Sequence, residues 1–196
     1  AVGSITNTGS LTGGSKCTAC ASGRYSNMSS IDECTNCGSG QFTSTPGQTL
    51  CGGCSPGKKQ ASVGMAFCDV CPGGHYQASV SQASCSACPV GYYGGALSLA
   101  CSLCADGKHS GTSAIVCNNF PRGYYGMSNG TCTTQCGAGK FSIEGAEDCT
   151  DCLVGQYQVS VGMHECIMCV VGKYAAAAGA DREADCVACE GGNASV

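Results

Sequence analysis

Tryptophan is absent from this 196-residue chain, and large apolar residues are few: Leu, Ile, Val and Phe together number 28, or 14%. That lies below the roughly 20% a chain needs to wrap an ordinary apolar core, which excludes a conventional globular domain of this length. Charge is scarce too, at 11% of residues, with nine basic against thirteen acidic side chains and a formal net charge of −4. There is no basic cluster and no interleaving of aromatic with basic residues, so a phosphate backbone finds no landing surface and no nucleic acid is expected as partner. No apolar stretch approaches the roughly 18 to 20 residues that cross a bilayer; the Ala175–Ala178 run ends at Gly179 and Asp181, and no membrane span is expected in this segment. An initiator Met is also missing. Residues 1–16 are a Gly/Ser/Thr-rich run without the regions of a signal peptide, read as a leader or linker. The chain is accordingly read as a fragment or processed product, its secretion signal gone and any anchor outside it.

What is abundant is cysteine, 21 residues in all. This is the density of a disulfide scaffold in an oxidising compartment, and the expected location is extracellular or cell-surface. Eleven times a Cys-x-x-Cys pair or an altered copy returns, led by Cys17, Cys34, Cys51, Cys68, Cys85, Cys101, Cys117, Cys132, Cys149, Cys166 and Cys186. The spacings are 17, 17, 17, 17, 16, 16, 15, 17, 17 and 20. So short a fixed period marks a stacked array. Residues 17–116 hold regular repeats one to six, 117–135 an irregular region that could bend, and 136–196 regular repeats running to a truncated last copy.

Three residues after the second cysteine of each pair stands a glycine in every copy, from Gly23 to Gly192, and two further on an aromatic in eight copies, among them Tyr25, Phe42, Tyr76 and Tyr157. Positions three and five share one face of an extended strand. The glycine either holds φ > 0 at a bend or leaves a gap for a neighbouring aromatic; both readings stay open. A turn follows at Pro46-Gly47, Gly64, Gly145, Gly162 or Gly179, then a return segment, so each repeat reads as one small β-hairpin. The fold class expected is all-β and small disulfide-rich: an elongated tandem array of short hairpins linked by a disulfide ladder, with little regular secondary structure. At about 10 Å per hairpin the array would run about 100 Å.

The repeat resembles the ephrin-receptor-like cysteine-rich repeat, Cys-x-x-Cys-Pro-x-Gly-x-Tyr-x4-Gly-x3-Cys, most closely at Cys68-Asp-Val-Cys71-Pro-Gly-Gly74-His-Tyr76 and Cys85-Ser-Ala-Cys88-Pro-Val-Gly91-Tyr-Tyr93. It is similar as well to the first small module of tumour necrosis factor receptor repeats, and to arrays in cysteine-rich surface antigens and surface filaments of protists. The resemblance covers roughly residues 17–192.

Connectivity follows from symmetry. Joining pairs two by two would give a period of about 34, which is not seen; the uniform choice joins the second cysteine of each pair to the first of the next. That gives Cys20–Cys34, Cys37–Cys51, Cys54–Cys68, Cys71–Cys85, Cys88–Cys101, Cys104–Cys117, Cys136–Cys149, Cys152–Cys166 and Cys169–Cys186, and the receptor module closes in the same way. Each loop of about fifteen residues adds up to roughly 3 kcal/mol in the chain-entropy model. Cys17, Cys132 and Cys189 are left as unpaired or intermolecular candidates. Where the seventh pair should end, the chain has Phe120-Pro121, and the eighth is stretched to Cys132-Thr-Thr-Gln-Cys136. Either a Phe fills a lost disulfide site, or Cys132 bridges Cys136 locally, or a free or intermolecular thiol marks a bend.

Cys-x2-Cys-x13-Cys-x2-Cys is also the spacing of a four-thiolate zinc site, but eleven pairs in a row with secretory sequons favour disulfides. The sequons, expected to carry glycan, are Asn27-Met-Ser29, Asn129-Gly-Thr131 and Asn193-Ala-Ser195. Acidic residues at Glu147-Asp148, Glu165 and Asp181 to Asp185 lack calcium-loop spacing and read as a solvated face. His75, His109 and His164 fall in three repeats with no triad motif, so neither catalysis, cofactor nor metal is expected. The function expected is that of an extracellular structural repeat protein acting as rod, stalk, coat or filament subunit, with copies of itself or other surface proteins as partners. The alternative is a cell-surface receptor or antigen ectodomain binding a protein or carbohydrate.

Overall fold

The computed structural model describes residues 2–7, 16–27, 33–126 and 134–190. Among them the chain forms ten separate two-stranded antiparallel sheets, most strands being two residues long, and one 3-10 turn at Glu183–Asp185. This is the all-β, disulfide-rich hairpin array that the spacing of cysteines, glycines and turns implied. Two compact units divide it: Ala1–Cys88 with Gly94–Cys101, and Pro89–Tyr93 with Ser102–Val196.

The local rules are visible in the repeat that starts at Phe120. Pro121, Arg122, Gly123 and Tyr124 make a tight turn, the Tyr124 N–H donating to the Pro121 carbonyl at 3.1 Å. Gly123, third of the four, has φ +80°, the one left-handed position a type II turn demands. The repeat glycines from Gly23 to Gly172 all have φ between +73° and +85°. The turn aims the next two residues as a strand, which pairs with the middle two residues of the following cysteine pair. Thus Phe42 faces Gly52, Lys59 faces Asp69, Tyr157 faces Ile167 and Tyr174 faces Val187. A two-residue ladder has little stability of its own. Nine of the ten hairpins are closed at the end by a disulfide, all but that of Ser4–Asn7 with Lys16–Ala19, and neighbours brace them.

Within each unit the brace is a fixed set of backbone bonds. The repeat glycine donates its N–H to the residue after the aromatic position of the next repeat, as in Gly23 to Thr43 at 2.8 Å and Gly123 to Ser142 at 3.0 Å. Its carbonyl accepts from the next second cysteine, as in Cys37 to Gly23 and Cys136 to Gly123, both 2.9 Å. The left-handed turn residue reaches back to the preceding second cysteine: Gly47 to Cys20, Gly64 to Cys37 and Ser81 to Cys54, all at 2.8 Å. Five of these turn positions are glycine, while Ser81, Leu97 and Ser113 take φ near +60° with a side chain attached.

Part of the segment expected as a leader is built into the first unit. Ser4–Asn7 pairs with Lys16–Ala19, and Gly3 stands in the repeat-glycine position, accepting from Cys20 at 2.9 Å and donating to Ser26 at 2.8 Å. Residues 120–126, part of the region expected as a possible bend, keep the bonds of Phe120 and Gly123 to neighbouring repeats but have an isolated bridge, Tyr124 to Gln135, in place of the two-residue ladder; residues 127–133 lie outside the described set. The core is sulfur. The second cysteines Cys20, Cys37, Cys54, Cys71, Cys88, Cys104, Cys136 and Cys152 are buried, whereas Leu50, Phe67, Val116, Ile143 and Val171 are exposed.

Candidate functional site

The described residues place nine disulfides, and all join the second cysteine of one pair to the first of the next: Cys20–Cys34, Cys37–Cys51, Cys54–Cys68, Cys71–Cys85, Cys88–Cys101, Cys104–Cys117, Cys136–Cys149, Cys152–Cys166 and Cys169–Cys186. Sequence separations are 13 or 14, with 17 for the last. Cys136 bonds Cys149, which rules out the local Cys132 bridge. Cys17 is exposed on its strand and Cys189 is partly exposed without a disulfide. Cys132 lies outside the described residues.

The repeat-to-repeat face is the one feature reproduced at every step, and its tightest point is the glycine. A Cβ built on Gly123 would overlap the carbonyl oxygen of Gly162, two repeats on, and lie 2.5 Å from its carbon. Gly23 meets Gly64, and Gly139 meets Gly179, in the same way. The two sequence readings of this glycine thus resolve into one: it holds φ > 0, and the space beside it is filled by a backbone carbonyl instead of an aromatic ring. Gly155 is left-handed too, at φ +85°, but among the described residues nothing lies within 4 Å of its Cβ position.

A second row, one residue past the aromatic, was not recognised in the sequence. Ser26, Thr43, Gln60, Ser110, Ser142 and Gln158 are polar and buried there. Buried polar groups must find partners: Thr43 donates to the Thr45 carbonyl at 3.2 Å in its own loop, and glutamine and serine differ. Gln60 donates to the Phe67 carbonyl at 2.7 Å and accepts from the Ser62 N–H at 3.0 Å; Gln158 does the same with Glu165 and Ser160 at 2.9 and 3.0 Å. Glutamine therefore pins its own loop. Ser110 and Ser142 instead donate backward to Tyr92 and Tyr124 carbonyls, both at 2.9 Å, stitching one repeat to the last. All three glutamines of this row, Gln60, Gln77 and Gln158, sit in loops of separation 14, which also hold Ser26 and Thr43, while Ser110 and Ser142 sit in loops of 13.

Phe120 replaces a second cysteine and is fully buried. Its ring stacks on His109 at 5.2 Å, and a Cβ on Gly126 would lie 2.8 Å from its Cζ. The ring fills the disulfide's place, and the glycine at the usual Gln/Ser position makes room for it. A similar exchange links Gly53 and Ser81: a Cβ on Gly53 would overlap the Ser81 hydroxyl. Where the turn residue is glycine, the facing residue carries a side chain: Ala19 against Gly47, Asn36 against Gly64, Gln135 against Gly162.

Of the sequons, Asn27 is exposed, while Asn129 and Asn193 fall outside the described residues. The three histidines are not brought together. His75 lies 3.4 Å from the Gly73 carbonyl, His109 stacks on Phe120 and His164 is exposed. Among the described residues no three His, Cys, Asp or Glu gather as a metal would need, and no helix is long and apolar enough to cross a membrane. The acidic residues Glu147, Asp148, Glu165, Asp181 and Asp185 are exposed. Lys140 pairs with Asp151 across its hairpin at 2.6 Å, and that hydrogen bond and charge hold its ammonium above the ordinary lysine range.

Two stretches, residues 57–96 and 139–186, match the family model described as tyrosine-protein kinase ephrin type A/B receptor-like. No curated protein matches the chain. The disulfide ladder and the matched stretches together point to an extracellular protein.

Proposed function

From the premise of a tandem cysteine-rich repeat protein with ephrin-receptor-like stretches, we propose that this chain is a structural segment outside the cell, serving as rod, stalk, coat or filament subunit. The observation that supports this reading is uniformity. The bonds from repeat glycine to next repeat recur from Gly3 to Gly155, and persist at Phe120, where the disulfide is replaced by a packed ring. A binding protein concentrates its variation at one surface. Here the departures from the consensus are compensated internally, Phe120 by Gly126 and Ser81 by Gly53, which conserves the stack. Electron microscopy of the protein from its native source tests the reading: filaments, coats or stalks containing it are expected. Dispersed monomers that pull down one soluble protein or glycan would support the receptor or antigen alternative instead.

A further inference from the structure

One position of the repeat changes character along the chain. The residue just before each first cysteine is Lys16 and then Glu33 at the start, Leu50, Phe67, Ser84, Ala100, Val116 and Thr131 through the middle repeats, and Asp148, Glu165 and Asp185 in the last ones. Charge follows the same division. The first compact unit carries four basic against three acidic residues, the second five against ten. In the first unit, Phe42, Ser55, Lys58, Phe67 and Cys68 line a shallow recess, Phe67 being 70% exposed. Lys58 and Lys59 beside it are the only adjacent basic pair of the chain.

We propose that this recess binds the acidic row of a second copy of the chain, with Glu165 of the second copy set against Lys58 and its aliphatic stem across Phe67. An aromatic floor with a lysine rim suits a carboxylate whose stem is apolar, since the stem buries against the ring while the charges meet at the edge. The complement is carried by the chain itself, at the register position that in the first unit supplies Phe67. Because the donor and acceptor surfaces differ, the contact is heterologous and can propagate from copy to copy. It rests on the assembly reading and names the surfaces that would perform it.

Sedimentation velocity of the full chain tests this. At about 20 mM salt the unaltered protein is expected to form a concentration-dependent series of oligomers, dispersed at about 1 M salt, where the screening length falls to about 3 Å. Lys58→Glu and Phe67→Ser, each on an exposed or half-exposed side chain, should each weaken association about tenfold. Glu165→Lys should do the same, and an equimolar mixture of the Lys58→Glu and Glu165→Lys variants should regain association. A full count of oxidised cysteines in every variant verifies folding. Oligomers unaffected by these substitutions would overturn this interface and leave the assembly reading standing; a monomer at low salt for the unaltered chain would overturn both. A monomeric chain retained on a sulfated polysaccharide through Lys58 would assign the recess to an anionic glycan and overturn the proposal.

Discussion

Alanine at Gly123 and alanine at Gly155 separate two costs that always coincide in a sequence. Both glycines close the same turn, with φ +80° and +85°, so both substitutions incur the left-handed penalty of about 1–2 kcal/mol. Only at Gly123 does the new methyl enter occupied space, overlapping the Gly162 carbonyl oxygen. Backbone cannot rotate away as a side chain does, and such overpacking adds about 1–3 kcal/mol. Gly123→Ala should thus cost about 2–5 kcal/mol and Gly155→Ala about 1–2 kcal/mol. Global unfolding of a repeat array is not two-state, so the difference is best read locally, as hydrogen exchange with disulfides intact. The Gly162 N–H, bonded to Cys136 at 2.7 Å, should exchange faster in Gly123→Ala, whereas Gly155→Ala should leave it nearly unchanged. Equal effects of the two substitutions on that amide would refute the contact between alternate repeats.

Three other expectations follow from the same packing. Intact mass should show the nine bridges of the described residues at least, each removing two hydrogens, and stoichiometric zinc whose chelation dissolves the structure would contradict the ladder. Phe120→Ala should empty the space under His109 and Gly126 and destabilise the second unit by about 3–5 kcal/mol, measured as a shift in the denaturation midpoint. Gly53→Ala should cost about 1–3 kcal/mol against the Ser81 hydroxyl, and most of that should vanish in the Gly53→Ala/Ser81→Gly double variant; additive losses would show that the two sites are not in contact.

The hairpins were legible because their determinants are local: a glycine three residues past a cysteine, a strand, a turn and a second cysteine all fall within seventeen residues. The turn glycines Gly47, Gly64, Gly145, Gly162 and Gly179 were legible for the same reason, while Ser81, Leu97 and Ser113 were not, since nothing near them in sequence demands φ > 0. The Gly123–Gly162 contact spans 39 residues and joins main chain to main chain, so no side-chain type announces it. The row of buried Gln, Ser and Thr was missed because polar residues beside an aromatic look like surface. The confinement of glutamine at that position to loops of separation 14 was the available clue. Phe120 was noticed as a break, but its partner Gly126 became meaningful only once the ring had a position.

The arrangement of the disulfides also fixes how far the chain can be drawn out. Tension applied to the ends bypasses each closed loop through sulfur, so that one repeat contributes only three peptide steps, about 11 Å, and the 5.7 Å between the α-carbons of a pair such as Cys20 and Cys34. Seventeen uncrosslinked residues would yield about 60 Å. The repeat therefore behaves as an inextensible link even after every hydrogen bond has failed, and a protease that nicks the Cys20–Cys34 loop leaves its halves tethered. Among the described residues no disulfide spans the stretch between Cys117 and Cys136. There nineteen steps, about 65 Å when taut, lie between one sulfur link and the next, against three elsewhere in the ladder, and Phe120 with its ladder of backbone bonds holds the described part of them, so load would lengthen the molecule most at this repeat.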